Sequence, residues 1–291
     1  MKFELDNIDF SYRSKVGVSD RLFERLSLSV NNGECVGIVG QEGVGKSTLL
    51  QIMDALLKPD KGKLFIDGKD VWQAPRKLHE IRRRIGFAFQ FPEEQFFCET
   101  VEDELGFIAE KGNTAPDHSY QDYKNVLGEF GLSSKEYLPR SPFSLSMGEA
   151  RLVALASLLM TNPQALLLDE PTAGLDGRGV DLVLSTLLRL KSRGLTIVIV
   201  SHDTNVLAEL VSRVVVLEHS GIEIDLPARA FLTDTPMLLG YGFDVPDVIA
   251  FSRELRKKGY HIDEDCCTFE EAKQLIKALT SDRSRRDKQK S

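Results

Sequence analysis

Gly40-Gln41-Glu42-Gly43-Val44-Gly45-Lys46-Ser47-Thr48 sets glycines, a lysine and two hydroxyls in one short loop. The spacing Gly-x4-Gly-Lys-Ser is that of a phosphate-cradling loop. The glycines let the chain wrap so that successive N–H groups face phosphate oxygens, and a helix starting after the loop adds a positive dipole end. Lys46 supplies a point charge to the β and γ phosphates of a nucleoside triphosphate, and the Ser47 hydroxyl is placed to ligate Mg²⁺. Asp169-Glu170 is the second acidic half, closing the apolar stretch Ala165-Leu166-Leu167-Leu168. Asp169 at a strand end can reach Mg²⁺ directly or through water, and Glu170 can orient or deprotonate an attacking water. His202 follows another such stretch, Leu195–Val200, so it faces the same crevice.

These residues need elements to hold them. Cys35-Val36-Gly37-Ile38-Val39, just before the loop, is a continuous apolar run, as in a strand buried on both faces. A helix is predicted after the loop through Leu57. Phe3, Leu5 and Ile8, and then Leu26–Val30, alternate as half-buried strands, and Lys63–Ile66 adds another. From about Pro92 to Met160 the pattern is helical, with a polar loop at Lys111–Ser119. Strands separated by helical stretches predict a parallel α/β sheet.

After Leu226 the pattern changes. Pro246–Lys258 reads as a helix with Phe251 and Leu255 on one face and Gly259 as its stop. Thr268-Phe269-Glu270-Glu271 has the capping-box form that opens a second helix through Leu279. Two short helices hardly bury a core alone, so they should pack on the main domain or on a partner. The basic tail, Ser281–Ser291, reads as a disordered, solvated end.

The 291 residues are 42% apolar and 28% charged, which excludes a disordered chain, a collagen-like repeat and a disulfide scaffold. A net charge of −7 argues against a nucleic-acid partner. Cys35, Cys98, Cys266 and Cys267 lack CxxC spacing and read as reduced thiols. The N-terminal residues contain no hydrophobic signal region, and no apolar run reaches the length of a membrane span. The expected place is the cytosol or a membrane surface.

Several motifs in order resemble the nucleotide-binding subunit of ABC transporters. Leu145-Ser146-Met147-Gly148-Glu149 is similar to the LSGGQ signature, Gln90 to the Q-loop glutamine, Ala173-Gly174-Leu175-Asp176 to the D-loop and His202 to the switch histidine. The resemblance covers about Phe3 to Leu226. It implies an α/β, ABC-type P-loop ATPase domain over 1–225: a parallel sheet core, an antiparallel β subdomain and an inserted helical subdomain at about 92–160. It also implies a small helical extension over 226–291. It makes ATP and Mg²⁺ the ligands, with ATP held by Tyr12 (on adenine), residues 40–48 and Gln90. Mg²⁺ would be held by Ser47, Gln90 and Asp169, and Glu170, His202 and Lys46 would be catalytic. Ser146, Gly148 and Glu149, with D-loop Asp176, would face a second chain's ATP.

Phe89-Gln90-Phe91-Pro92-Glu93-Glu94-Gln95-Phe96-Phe97 resembles the Q-loop of energy-coupling factor (ECF) transporter ATPases, and Leu226–Leu279 resembles their two-helix extension. That resemblance implies an ATPase powering uptake of a vitamin or transition-metal ion from the cytoplasmic face of the membrane. Its partners would be a second ABC ATPase chain, a transmembrane scaffold protein and a small substrate-binding membrane protein. Phe91, Phe96 and Phe97 would then form a groove for the scaffold's coupling helices, or else pack the helical subdomain's core. The signature departs from the family at Met147, Glu149 and Leu152, which stand where glycine, glutamine and arginine are usual. A heterodimer, pairing one altered signature with an ordinary one, is favoured over a homodimer with two. An ordinary ABC importer or exporter ATPase, and a soluble ABC protein, remain the alternatives.

Overall fold

The computed structural model describes residues 1–13, 19–73, 75–112, 120–218 and 220–289. The chain opens with β1 (Phe3–Arg13), β2 (Ser19–Val30), β3 (Cys35–Val39), α1 (Lys46–Met53), β4 (Lys61–Ile66) and β5 (Lys69–Asp70). There follow α2 (Leu78–Arg82), β6 (Ile85–Ala88), α3 (Val101–Gly112), α4 (Tyr120–Glu129), α5 (Ser134–Tyr137) and α6 (Met147–Leu158). The second half holds β7 (Ala165–Asp169), α7 (Gly177–Ser192), β8 (Thr196–Val200), α8 (Thr204–Leu210), β9 (Arg213–Glu218) and β10 (Gly221–Pro227). It ends in α9 (Ala228–Thr233), α10 (Thr235–Gly240), α11 (Asp247–Lys257) and α12 (Phe269–Gln289).

Among the described residues the strands form two sheets, a four-stranded one in the order β2-β1-β4-β5 and a six-stranded one in the order β10-β9-β3-β8-β7-β6. The first is antiparallel. In the second, β9, β3, β8, β7 and β6 are parallel and β10 pairs antiparallel at the edge. The strands β3, β7 and β8 are buried along their whole length, as their continuous apolar runs require. Successive side chains in a strand point to opposite faces. Val36, Ile38, Leu167, Val198 and Val200 therefore enter one core, shared with the antiparallel sheet and α1. Cys35, Val39, Leu166, Leu168, Ile197 and Ile199 enter a second core on the other face, roofed by the helical subdomain.

The C-terminal helices pack on this main body. Phe231, Leu232, Leu238, Phe243, Ile249 and Cys267 are part of the second core. β10 runs through Pro227, so the sheet crosses the expected boundary at 225. Four details differ from the expectations. The helix after the loop ends at Met53, where Asp54 leaves helical geometry, rather than at Leu57. In α11 the inward residues are Ile249 and Ser252; Phe251 is exposed and Leu255 half-buried. Helical packing here follows the Ile249/Ser252 ridge because Ser252 returns its hydroxyl to the Ile249 carbonyl, 2.9 Å away, and so is satisfied when buried. Pro246 stands at the N-cap of α11. Finally, α12 continues past Leu279 to Gln289, a stretch that no Gly or Pro interrupts. The tail expected to be disordered is thus helical up to Gln289, while residues 290–291, like 113–119 of the polar loop, lie outside the described residues. All four cysteines are unpaired, and among the described residues no helix is long and apolar enough to cross a membrane.

Candidate functional site

Because β3, β8 and β7 are parallel neighbours, their C-terminal ends lie side by side at one edge of the sheet. That edge receives the phosphate loop from β3, Asp169-Glu170 from β7 and Ser201-His202 from β8. A crevice at the carboxyl ends of parallel strands is the usual ligand position in such sheets.

The loop's backbone is possible only with glycine at two positions. Gly40 has φ +146° and a Cβ there would stand 2.3 Å from the Leu217 carbonyl oxygen. Gly45 has φ +101°, and its Cβ would meet the side chains of Leu22 and Phe23. Gly45 is also the N-cap of α1, and no side chain caps that helix, so its first N–H groups are left for a ligand's phosphates. Lys46 folds back across the loop, its Nζ donating to the carbonyls of Gly40 (2.7 Å) and Gln41 (2.8 Å). Burial pushes the Lys46 amine downward, against the pull of Glu170, Asp169 and Glu42. Beside the loop lies a cavity of about 640 Å³ lined by Tyr12, Arg21, Leu22, Gly43, Gly45, Lys46, Ser47 and Thr48. Tyr12 is held there by a 3.0 Å bond between its hydroxyl and that of Thr48 and by edge contact with Phe10.

Asp169 is buried at the end of β7; burial raises its pKa, with the Ser47 hydroxyl and the Lys46 charge opposing. Glu170 takes a left-handed backbone, φ +49°, held by its N–H to the Val200 carbonyl (3.0 Å). That turn sends the carboxylate toward His202, whose Nε2 lies 3.5 Å from Oε1 and whose N–H donates to Oε2 at 3.4 Å. Oε1 itself is buried without a well-formed hydrogen bond. Burial pushes the Glu170 carboxyl up to about 7, opposed by the His202 N–H. His202 is held down toward its neutral form, first by burial and then by Lys46. A base must be ionised to work, so kcat/KM for nucleotide hydrolysis is expected to rise about tenfold per pH unit below 7 and to level above 8. A flat profile from pH 5.5 to 9 would show that Glu170 is not the titrating base.

The ABC transporter family profile matches residues 23–173, over half of the chain. The chain is 34% identical to the energy-coupling factor transporter ATP-binding protein EcfA2 of Clostridium tetani, over 97% of this chain and 98% of that one. It is 38% identical to the protein of that name from Bacillus subtilis, over 88% and 96%. The chain belongs to this family of ABC ATPases. Among solved structures, an ATP-binding cassette captured as a dimer after hydrolysis, with ADP and phosphate, superposes with a TM-score of 0.71. It is 28% identical and covers 78% of this chain and 99% of its own. Clostridium perfringens cbiO1, part of the cbiONQ transporter complex, superposes at 0.69 with 26% identity, covering 82% and 93%. The chain is therefore an ATPase of the ABC type.

The segment Leu145–Glu149, expected to be the signature, begins α6. Ser146 is the N-cap, and Glu149 completes a capping box with it. The Glu149 carboxylate accepts from the Ser146 N–H (2.8 Å), the Ser146 hydroxyl (2.8 Å), the Tyr137 hydroxyl (2.9 Å) and Arg140 (3.2 Å). The Ser146 N–H, the Ser146 hydroxyl and the Tyr137 hydroxyl push its pKa down to about 2. The signature thus presents a fixed negative charge and a serine whose proton is already engaged. A Cβ on Gly148 would meet only Leu175, at 3.6 Å, and Met147 is exposed. Asp176 caps α7, accepting from the Gly179 N–H at 2.8 Å.

The sequence reading passes over Arg151. Its side chain is only 2% exposed and forks onto Glu93, with Nη2–Oε1 at 3.0 Å and Nε–Oε2 at 3.2 Å. It also donates to the backbone carbonyls of Gln90 (2.9 Å) and Ala173, and lies over the Phe91 ring. One guanidinium therefore ties the segment after β6, helix α6 and the turn before α7. Leu152, where the family usually has arginine, is core. The available signal was an arginine within the apolar run Ala150–Met160, since a buried cation demands a partner.

Proposed function

We propose that this chain is an ATP-hydrolysing subunit of an ECF-type transporter that takes up a vitamin or a transition-metal ion. The observation carrying this reading is the similarity to ECF ATP-binding proteins over nearly the full length, C-terminal helices included. The FQFPEEQFF segment agrees with it.

ATP would lie between Tyr12 and the phosphate loop, with the loop's N–H groups and Lys46 neutralising the phosphates. Ser47, at the start of α1, and Asp169, buried at the end of β7, both carry hard oxygen donors, so they fit Mg²⁺ whose remaining ligands are phosphate and water. The ion would draw charge from the β and γ oxygens. Gln90, exposed after β6, is a further proposed ligand. The orphaned Oε1 of Glu170 is placed to take a proton from an attacking water, and His202 to steady the γ-phosphate.

Each ATP is completed by a second chain's signature. The charged, pre-engaged signature here favours a heterodimer with an ordinary ABC ATPase, which leaves one of two sites slow. Loss of that charge in Glu149→Gln should lower the barrier at the slow site by about 1 kcal/mol, roughly fivefold in its turnover. Steady-state ATPase of the assembled complex checks this, and an unchanged or lower rate overturns it.

Phe97 and Phe107 meet edge to face at 4.7 Å with Phe91 exposed nearby in sequence, whereas Phe96 packs on the core. Phe91, Phe97 and Phe107 are the proposed seat for a scaffold protein's helices at the cytoplasmic face of the membrane. Purification of the tagged chain from gently solubilised native membranes tests the whole reading. A scaffold, a small integral membrane protein and a second ATPase are expected. Two large permease subunits would make it an ordinary ABC transporter ATPase.

A further inference from the structure

The His202 imidazole leans on a residue from the C-terminal extension. The Phe243 ring stacks on it with centroids 5.8 Å apart and planes 22° apart. Phe243 is only 4% exposed and belongs to the second core, and Phe231, fully buried, braces it edge-on at 6.4 Å. The imidazole, by contrast, is half-exposed, and among the described residues no hydrogen bond orients it. Its Nε2 has only the 3.5 Å approach to Glu170. A half-exposed ring samples several rotamers, and a rigid aromatic platform against one face removes that freedom before substrate arrives.

The same extension grips the helix that follows. Thr204 donates through its hydroxyl to the Asp244 carbonyl at 2.9 Å. Asn205 and Asp247 exchange two bonds, Nδ2 to Oδ2 at 3.2 Å and the Asp247 N–H to Oδ1 at 2.8 Å. The Phe269 N–H, at the start of α12, donates to Glu209. Three contacts from α8 and one ring stack therefore join the His202 corner to the segment between α10 and α12.

We infer that Phe243 is a positioning residue for His202, through which the C-terminal extension sets the turnover of the ATP site. Phe243 acts on the ring's orientation and does not touch nucleotide, so it governs kcat and leaves ATP affinity alone. The inference rests on His202 contacting the γ-phosphate.

The test compares ATPase kinetics and thermal unfolding of the full chain, in the complex it purifies with, for four variants and one double variant. Phe243→Leu keeps an apolar side chain of similar reach without the flat ring. It is expected to lower kcat about tenfold with KM within about twofold, and Phe243→Tyr, which keeps the ring, to restore kcat. His202→Ala should cost about a hundredfold, and Phe243→Leu should add nothing in that background, because both act through one group. Asn205→Ala cuts the exposed tie without opening the core and should lower kcat about threefold at unchanged melting temperature, so the question stays answerable even where Phe243→Leu folds poorly. Full turnover of Phe243→Leu or of Asn205→Ala beside an impaired His202→Ala overturns the inference alone, as does a further tenfold loss in the double variant. Full turnover of His202→Ala overturns the reading of the histidine itself.

Discussion

Glu170→Gln is expected to lower ATP turnover about a thousandfold while leaving ATP affinity within about twofold. The side chains are nearly the same shape, so the turn at φ +49° and its bond to the Val200 carbonyl should survive. What is lost is basicity. Oε1 is buried without a well-formed hydrogen bond, and burial has already pushed the carboxyl up to about 7, so the carboxylate is poised to take a proton near neutral pH. Glutamine in the same place can orient water but cannot accept that proton. Lys46 and the uncapped start of α1, proposed to carry phosphate binding, are untouched. Equilibrium ATP binding and single-turnover hydrolysis on one preparation check both halves. Turnover within threefold of wild type would remove Glu170 from the role of base.

Arg151→Ala should be the most destabilising single change, at about 3–5 kcal/mol, because it strands Glu93 and two backbone carbonyls in a nearly dry site. For a chain of this size that is a fall of roughly 10 °C in melting temperature. Arg151→Lys should recover little, since an ammonium cannot fork onto both Glu93 oxygens and reach the Gln90 carbonyl as well. Glu93→Gln with Arg151→Met should recover more, because no buried charge is then left alone. Thermal unfolding of the three variants decides this. A melting temperature for Arg151→Ala within 2 °C of wild type would mean that the pair is not coupled to stability.

The two largest effects differ in how legible they are. Glu170 can be found without a structure because its meaning is local: an apolar strand, a carboxylate at its end, and another one residue further. The phosphate loop is legible for the same reason, since glycine, lysine and serine at fixed spacing constrain one backbone path. The boundary residues were less so. Phe251 and Leu255 form as good a helical stripe as Ile249 and Ser252, and only the neighbouring core says which stripe goes in. Asp176 shows the same ambiguity, since a short-chain carboxylate before a helix is equally a cap.

Legible in the residues alone were the strand–loop–helix of the phosphate-loop pattern, the acidic strand end, the parallel sheet that aligns them and the family to which they belong. All of these follow from short-range spacing and from the periods of strand and helix. Which distant groups meet was settled by the packed fold. Arg151 reaches Glu93 across 58 positions, and Phe243 comes from beyond β10 to lie against His202. Such pairings depend on which face each element turns inward, and that choice is made by the packing of the whole core, which no local pattern encodes.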